Sequence, residues 1–334
     1  MLEDQPPALP TLLDVIDAAR VLAGQAVRTR LLRSAELDRV TGARVLLKPE
    51  LLQLTGSFKF RGAYNALSRI PADKKGAGVV AWSSGNHAQG VAEAARRLSI
   101  QATIVMPNDA PRVKVDATWA AGAEIVFYDR VREDREAIGR RLTEERGATL
   151  IPSYDHPHVI AGQGTVGLEI ARDAEDSRWN VELALIPCSG GGLSTGCALG
   201  LKGSFPEVAV HPVEPYGFDD MARSLVLGER VRNRSSANSL CDGLLAPTPG
   251  DITFPLGRRV LAPGLVVSDR EVMDAMRFAF RHLKLVLEPS GAAALAAVLA
   301  NKVDVKGRTV AVVLSGGNVD PELFAKIITG ASPR

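Results

Sequence analysis

Cysteine is scarce in this chain, with only three among 334 residues, Cys188, Cys197 and Cys241, and no C-x-x-C pair. A small secreted fold held together by disulfide bonds is therefore excluded. Free thiols are typical of reducing compartments, so we expect a cytoplasmic protein.

Other features are missing as well, and each absence removes a class of function. Forty Lys and Arg stand against 38 Asp and Glu, and aromatic residues make up 5%. Without a basic block or an aromatic stripe, we expect no nucleic-acid partner. No apolar run approaches the roughly 20 residues of a membrane-spanning helix, so we expect no membrane insertion. The chain also has no GxxxxGK[ST] motif and no HExxH motif.

Short apolar strands alternating with amphipathic helices are what the chain does contain. The strands lack a polar–apolar alternation, which indicates parallel sheets covered on both faces. This pattern predicts an α/β fold, and the length is sufficient for two lobes. The predicted strands are residues 44–48, 78–82, 101–106, 124–128, 182–187, 208–213 and 309–314.

Three of these strands end in polar turns rich in glycine, at residues 83–87, 189–196 and 315–318. Ligands of open α/β sheets bind at the carboxyl ends of strands, and a glycine turn that leads into a helix favours an anion. The turn at 189–196 is therefore the best phosphate site in the chain. The alternative is a tight turn without a ligand.

Lys59 stands between Phe58 and Phe60. A lysine in apolar surroundings has a lowered pKa and can attack a carbonyl carbon, whereas the alternative is a snorkelling side chain on an amphipathic helix. A reactive lysine together with a phosphate site favours pyridoxal phosphate over a nucleotide.

Three further patterns leave alternatives open. Residues 162–167 fit GxGxxG but follow no convincing strand, so we interpret them as helix packing at small residues. Glu214 and Asp220 could hold a hard cation, or could be a solvated acidic turn. Several arginines could bind a carboxylate, and the sequence does not choose among Arg61, Arg112, Arg135 and Arg281.

From about Leu12 to Asp320, with these motifs in order, the chain resembles the fold-type II pyridoxal-phosphate enzymes, specifically the threonine/serine dehydratase and serine racemase group. The resemblance implies two open twisted α/β domains of the tryptophan synthase β-like architecture. The large cofactor-binding domain would comprise residues 1–68 and 156–334, and the small domain residues 69–155. Relatives are commonly homodimers, so we expect a homodimer.

The resemblance also implies roles for individual residues. Lys59 would be the Schiff-base lysine, Phe58 would pack on the pyridoxal 5'-phosphate, and Asn86 would bind its ring oxygen. Ser315 would face the ring nitrogen, and Glu288 would lie near the ring. The phosphate would be bound by Gly190, Gly191, Gly192 and Leu193. The substrate carboxylate would be held by Ser83, Ser84, Gly85, Asn86 and His87. A Mg²⁺ or Ca²⁺ ion would be held by Glu214, Asp220 and the carbonyl of Phe218.

The implied activity is β-elimination of water from a 3-hydroxy amino acid, namely L-threonine, L-serine or 3-hydroxyaspartate, to give a 2-oxo acid and ammonia. Ser84 replaces the alanine of many threonine dehydratases. It could act as a second catalytic acid/base opposite Lys59, so an amino-acid racemase, alone or combined with dehydration, is the alternative. A non-catalytic binding protein that kept the fold is a third hypothesis.

Overall fold

Nine strands form two parallel sheets in the computed structural model, which describes residues 8–83, 85–110, 112–234 and 237–331. The larger sheet has the strand order β1-β9-β6-β7-β8, and the smaller sheet has the order β4-β3-β2-β5. The strands are β1 (Arg44–Pro49), β2 (Val79–Trp82), β3 (Ala102–Pro107), β4 (Glu124–Tyr128), β5 (Thr149–Leu150), β6 (Leu183–Pro187), β7 (Ala209–Pro215), β8 (Leu265–Val267) and β9 (Thr309–Leu314).

Helices connect the strands and cover the sheets. They are α1 (Leu12–Leu22), α2 (Ala35–Thr41), α3 (Lys59–Ser68), α4 (Ala72–Lys75), α5 (Asn86–Leu98), α6 (Arg112–Ala120), α7 (Arg135–Arg146), α8 (Pro157–Asp176), α9 (Gly192–Lys202), α10 (Asp220–Leu227), α11 (Thr253–Val260), α12 (Asp269–Phe278), α13 (Pro289–Leu299) and α14 (Pro321–Thr329). Short 3₁₀ turns occupy Glu50–Leu52, Leu54–Gly56 and Asp242–Leu244.

The larger sheet is buried on both faces, as its continuous apolar strands predict. One face packs against α12 and the alanine-rich α13. The opposite face packs against α8 and α9, which contribute Val166, Ile170, Cys197 and Leu201. The predicted α/β fold is confirmed.

All four strands of the smaller sheet lie between Val79 and Leu150, within the proposed small domain. Helix α3 packs against α5 beside this sheet and against α8 beside the larger one. Lys59, the first residue of α3, therefore lies where the two units meet. The exact domain boundaries stay a prediction.

The small residues of 162–167 belong to helix packing, and that prediction is confirmed. A Cβ on Gly162 would lie 2.7 Å from the Arg61 carbonyl oxygen, and one on Gly164 would lie 2.8 Å from the carbonyl oxygen of Gly196. All of 162–167 lies inside the 20-residue helix α8.

The amphipathic segment 270–283, which the sequence predicts as one helix, is not a continuous α-helix. Helix α12 ends at Phe278 and continues as a π-helical turn over Ala279–Leu283. Lys284 then adopts a left-handed φ of 59°, so the chain leaves the helix there. Among the described residues, none of the helices has both the length and the apolar character of a transmembrane segment.

Candidate active site

The turn that follows β9 positions Lys59 through the two residues that precede it. Ser57 forms a bridge with Gly316, and the Phe58 N–H donates to the Ser315 carbonyl oxygen at 3.2 Å. Lys59 Nζ donates to the Ser153 carbonyl oxygen at 2.7 Å and lies 5.2 Å from the centre of the Phe58 ring. Burial lowers the pKa of Lys59 to about 8. A much larger fraction of this amine is therefore neutral and nucleophilic near physiological pH than of an ordinary lysine.

The glycine loop between β6 and α9 has no room for side chains. A Cβ on Gly190 would collide with the ring of Tyr154, and one on Gly192 would lie 2.8 Å from the Tyr154 carbonyl oxygen. Gly191 has a φ of 98°, a left-handed conformation that disfavours other residues. Helix α9 begins at Gly192, with Leu193 as its second residue. Its N-terminal N–H groups make this loop a suitable anion site.

A chain of hydrogen bonds connects the polar turns after β2 and β9 with Glu288, the residue that precedes α13. Asn86 Nδ2 donates to Glu288 Oε1 at 2.5 Å, and Asn318 Nδ2 donates to Asn86 Oδ1 at 2.8 Å. Glu288 is buried, and this burial, with the nearby Asp242 carboxylate, raises the pKa of Glu288 to about 8. Ser315, also buried, directly follows β9, and the carbonyl oxygen of its neighbour Gly316 accepts the Glu288 N–H at 3.2 Å. The structure thus brings Asn86, Glu288 and Ser315 together.

The loop before α5 lies on the side of the smaller sheet. Ser83 Oγ accepts the Gly85 N–H at 3.1 Å, and α5 begins at Asn86. His87 Nε2 lies 2.9 Å from the Ile151 carbonyl oxygen, whereas its buried Nδ1 has no partner. Burial and the nearby Lys59 lower the pKa of His87 to about 3, so this imidazole is neutral. The predicted residue Ser84 lies outside the described residues.

Comparison with known proteins decides the family. The family model described as "Pyridoxal-phosphate dependent enzyme" matches residues 22–316. The chain belongs to this family of pyridoxal-phosphate-dependent enzymes.

Individual relatives are similar over nearly the whole chain. An L-threo-3-hydroxyaspartate ammonia-lyase from a Pseudomonas species is 47% identical, over 95% of this chain and 98% of that protein. An L-threonine ammonia-lyase from Thermotoga maritima is 42% identical, over 95% of this chain and 78% of its own length. The structure of maize serine racemase matches with a TM-score of 0.90 and 35% identity, over 97% of this chain and 98% of that chain.

The described residues of this pyridoxal-phosphate-dependent enzyme fit the cofactor that the family name specifies. Lys59 provides a desolvated amine, and the loop at Gly190, Gly191 and Gly192 provides backbone without side chains beside a helix N-terminus. This combination of an amine and an anion site is the chemistry that a phosphorylated aldehyde needs.

Two buried acids of the enzyme lie close together in sequence, Glu214 near the end of strand β7 and Asp220 at the start of α10. Glu214 accepts the N–H groups of Met221 and Ala222 at 3.0 and 2.8 Å, while Asp220 Oδ2 is buried without a partner. Burial raises the pKa of both acids, that of Asp220 to about 7. Phe218 lies in the turn between them. Within the described part of the chain, no group of three or more His, Cys, Asp or Glu side chains could hold a metal.

Arg61 binds carboxylates of the enzyme itself. Its guanidinium is buried and contacts Glu50 at 2.7 Å and Glu169 at 2.7 Å. Lys48, also buried, contacts Glu169 at 2.5 Å. The other candidate arginines, Arg112, Arg135 and Arg281, are exposed. Arg61 is therefore engaged inside the fold.

Sequence reasoning missed several residues around Lys59 and the glycine loop. Ser153, Tyr154 and Asp155 follow β5 without a recognisable motif, and Thr253 begins a helix that was not predicted. The sequence marks Asn318 only as the last residue of the glycine turn at 315–318. The three-residue polar run at 153–155 beside His156 and Pro157 gave no signal that distinguished it from an ordinary loop.

Proposed function

We propose that this protein is a pyridoxal-phosphate-dependent ammonia-lyase that removes water from a 3-hydroxy amino acid and releases a 2-oxo acid and ammonia. The observation that carries the proposal is the desolvated Lys59 amine. It lies beside the end of β9 and donates to Ser153, whose neighbour Tyr154 packs against the glycine loop. L-threo-3-hydroxyaspartate is our first candidate substrate, ahead of L-threonine and L-serine. The 47% identical ammonia-lyase supports this order.

Lys59 is the base in this proposal. A lysine with a pKa of about 8 is half neutral at that pH, whereas an ordinary lysine would be well under ~1% neutral. The neutral amine can accept the proton from the substrate Cα, which prepares loss of the β-hydroxyl. The bound cofactor supplies the electron sink for this proton removal.

The remaining polar groups hold the reactants. Backbone N–H groups of Gly190, Gly191, Gly192 and Leu193 would bind the cofactor phosphate. Phe58 would pack on the ring, with Asn86, Ser315 and Glu288 around its polar edge. Ser83, Gly85, Asn86 and His87 would hold the substrate carboxylate at the N-terminus of α5, where the helix dipole favours negative charge. The neutral His87 leaves that interaction to backbone N–H groups.

The test is a panel assay of 2-oxo acid release from L-threo-3-hydroxyaspartate, L-threonine and L-serine. We expect the first to be turned over fastest and Lys59→Ala to lose at least about a hundredfold in activity. Lys326→Ala, at an exposed lysine of α14, is the matched control and should retain activity. Undiminished turnover by Lys59→Ala would refute the role of this lysine. Activity only on other amino acids would refute the substrate class.

A second candidate function is racemisation, since the chain superposes on maize serine racemase with a TM-score of 0.90. Reprotonation of Cα from the face opposite Lys59 needs another acid, and we propose Ser84. The test is formation of D-serine from L-serine. Ser84→Ala should retain elimination and lose the D-isomer, and absence of any D-isomer from the unaltered enzyme would exclude the racemase.

We also propose that Glu214, Asp220 and the Phe218 carbonyl hold Mg²⁺ or Ca²⁺. The unpartnered Asp220 Oδ2 and the raised pKa of both buried acids support this, because a divalent cation would neutralise them. Mg²⁺ or Ca²⁺ should then raise the melting temperature, and Asp220→Asn should remove the rise while the neighbouring Asp219→Asn keeps it. An unaltered melting temperature at millimolar metal would contradict the proposal.

We also propose a division into a large domain and a small domain, formed by residues 1–68 plus 156–334 and by residues 69–155. We further propose that the protein assembles as a homodimer. Placement of all four strands of the smaller sheet between Val79 and Leu150 supports the division. Sedimentation equilibrium tests the assembly, and a monomer mass of 35.5 kDa at micromolar concentration would contradict it.

A further inference from the structure

Residues 153–155, which we term the strap, run between β5 and α8 and touch both parts of the cofactor site. At one end, the Ser153 carbonyl oxygen accepts the hydrogen bond from Lys59 Nζ at 2.7 Å. In the middle, the Tyr154 ring packs so closely on Gly190 that any Cβ there would collide with it. The Tyr154 carbonyl faces Gly192 in the same way. The strap thus lies directly between the lysine and the glycine loop.

The third residue of the strap, Asp155, caps a helix that is distant in sequence. Its Oδ2 accepts the Asp251 N–H at 2.8 Å, and its Oδ1 accepts the Ile252 and Thr253 N–H groups at 2.9 and 3.2 Å. These are among the N–H groups that a helix start leaves without intrahelical partners. Asp155 thereby attaches the start of α11 to the strap.

Thr253, the first residue of α11, contacts the glycine loop and so links α11 to it. It is fully buried, its hydroxyl donates to the Gly190 carbonyl oxygen at 2.5 Å, and it accepts the Gly250 N–H at 2.9 Å. The Gly250 N–H also approaches the Gly190 carbonyl at 3.3 Å. These contacts orient the peptide group of Gly190, the first glycine of the run.

We propose that Asp155 and Thr253 are positioning residues that hold the glycine loop in the conformation that binds the cofactor phosphate. The strap, α11 and the glycine loop form a closed set of contacts that fixes the loop relative to Lys59. Neither side chain needs to touch the cofactor. The carboxylate charge of Asp155 is directed at the N-terminus of α11, where it is favourable. The inference depends on the cofactor of the family and is independent of which amino acid is the substrate.

The test compares pyridoxal phosphate with pyridoxal, which lacks the phosphate group. Equilibrium dialysis of the full-length chain, freed of cofactor beforehand, gives the Kd for each. Asp155→Ala should raise the Kd for pyridoxal phosphate roughly five- to tenfold, as expected for loss of a helix cap, and change the Kd for pyridoxal less than about twofold. Asp155→Asn, which keeps an acceptor oxygen, should recover part of the affinity.

Thr253 offers a matched pair of variants. Thr253→Val keeps the shape and loses the hydroxyl, so it should weaken binding of pyridoxal phosphate selectively. Thr253→Ser keeps the hydroxyl and should bind both compounds as the unaltered protein does. This pair decides the question even if Asp155→Ala does not fold.

Asp320→Ala is the control for the loss of a helix cap elsewhere. Asp320 caps α14 by accepting the Glu322 and Leu323 N–H groups at 2.9 and 3.0 Å, and its removal should leave both Kd values unchanged. If Asp155→Ala and Thr253→Val weaken the binding of both compounds equally, these residues have a general structural role and the proposal is overturned. Unchanged binding of pyridoxal phosphate by Thr253→Val would also overturn it.

Discussion

Arg61, two residues after Lys59 in α3, lies at the centre of a buried network of four charges. Its guanidinium donates to both carboxylate oxygens of Glu50 at 2.7 and 2.9 Å and to those of Glu169 at 2.7 and 3.0 Å. Lys48 completes the network through Glu169. Two cations and two anions make it neutral, and Arg61, Glu50 and Lys48 are each at most 1% exposed. Its stability therefore depends on keeping every member paired.

Replacement of Arg61 by Met should destabilise the protein strongly. Lys48 would still neutralise Glu169, but Glu50 would be left as a buried anion whose remaining side-chain donor, among the described residues, is the Thr29 hydroxyl. Breaking a buried pair by removing one partner costs ~3–5 kcal/mol, because the remaining charge is stranded away from water. Met keeps most of the volume of the stem, so the loss reports charge more than packing.

A double-mutant cycle separates the stranded charge from other effects. Glu50→Gln removes the anion that Arg61→Met leaves behind, so the double variant should be about 1–3 kcal/mol more stable than the sum of the single losses predicts. The free energy of unfolding is measured by urea titration followed by circular dichroism. Arg39→Met, which breaks the exposed pair with Glu36, is the control and should have little effect. Additive single losses would refute the reasoning.

Three further predictions concern single features of the fold. Gly191→Ala should weaken pyridoxal phosphate binding, measured by dialysis, and lower the melting temperature, both by more than Gly228→Ala does. Both glycines have a positive φ, but of the two only a Cβ on Gly191 would meet other atoms, at 2.6 Å from Met221 Cε. Asn318→Ala should lower cofactor affinity, measured by titration, because it removes the donor to Asn86 and to the carbonyl of Thr55, a residue held at a φ of 61°. Burial raises the pKa of all three thiols, so a thiol reagent should label Cys188, Cys197 and Cys241 only after denaturation, and rapid native labelling would contradict this.

The parts of the site that could be predicted are those whose chemistry is local in sequence. The glycine loop was predictable because a strand, three glycines and a helix start follow one another within a few residues. The two phenylalanine neighbours of Lys59 indicated an apolar environment but left a snorkelling side chain open, and the glycine turns decided between the two. Each of these signals needs only a short window, since strand ends in parallel sheets bring ligands to one edge.

Contacts between distant segments could not be predicted from the residues alone. Asp155 and the start of α11 are separated by nearly a hundred residues, and Arg61 and Glu169 by 108. Arg61 was one of four arginines suggested for binding a carboxylate, and it does bind carboxylates, but those of Glu50 and Glu169. The residue type was informative about the chemistry of the contact, whereas its partner depends on how α3 packs against α8.

The pKa of Glu288 likewise depends on contacts between distant segments, and it predicts how stability changes with pH. Its folded pKa of about 8 lies above the ordinary 4.5, because burial and then Asp242 disfavour its anion, while Asn86 and Lys114 oppose this. Between about pH 4.5 and 8 the native state keeps a proton that the unfolded chain has lost, so this group makes stability fall as pH rises through that window.

Glu288→Gln keeps an acceptor for Asn86 and cannot ionise, so the variant should lack this fall. The free energy of unfolding of Glu288→Gln minus that of the unaltered protein should therefore increase from pH 5 to pH 8, by at least about 1 kcal/mol, and level off above. The exposed Glu207→Gln is the control and should show a constant difference over the same range. A constant difference for Glu288→Gln would mean that Glu288 is already ionised in the native state at pH 5. The hydrogen bond from Asn86 would then outweigh its burial.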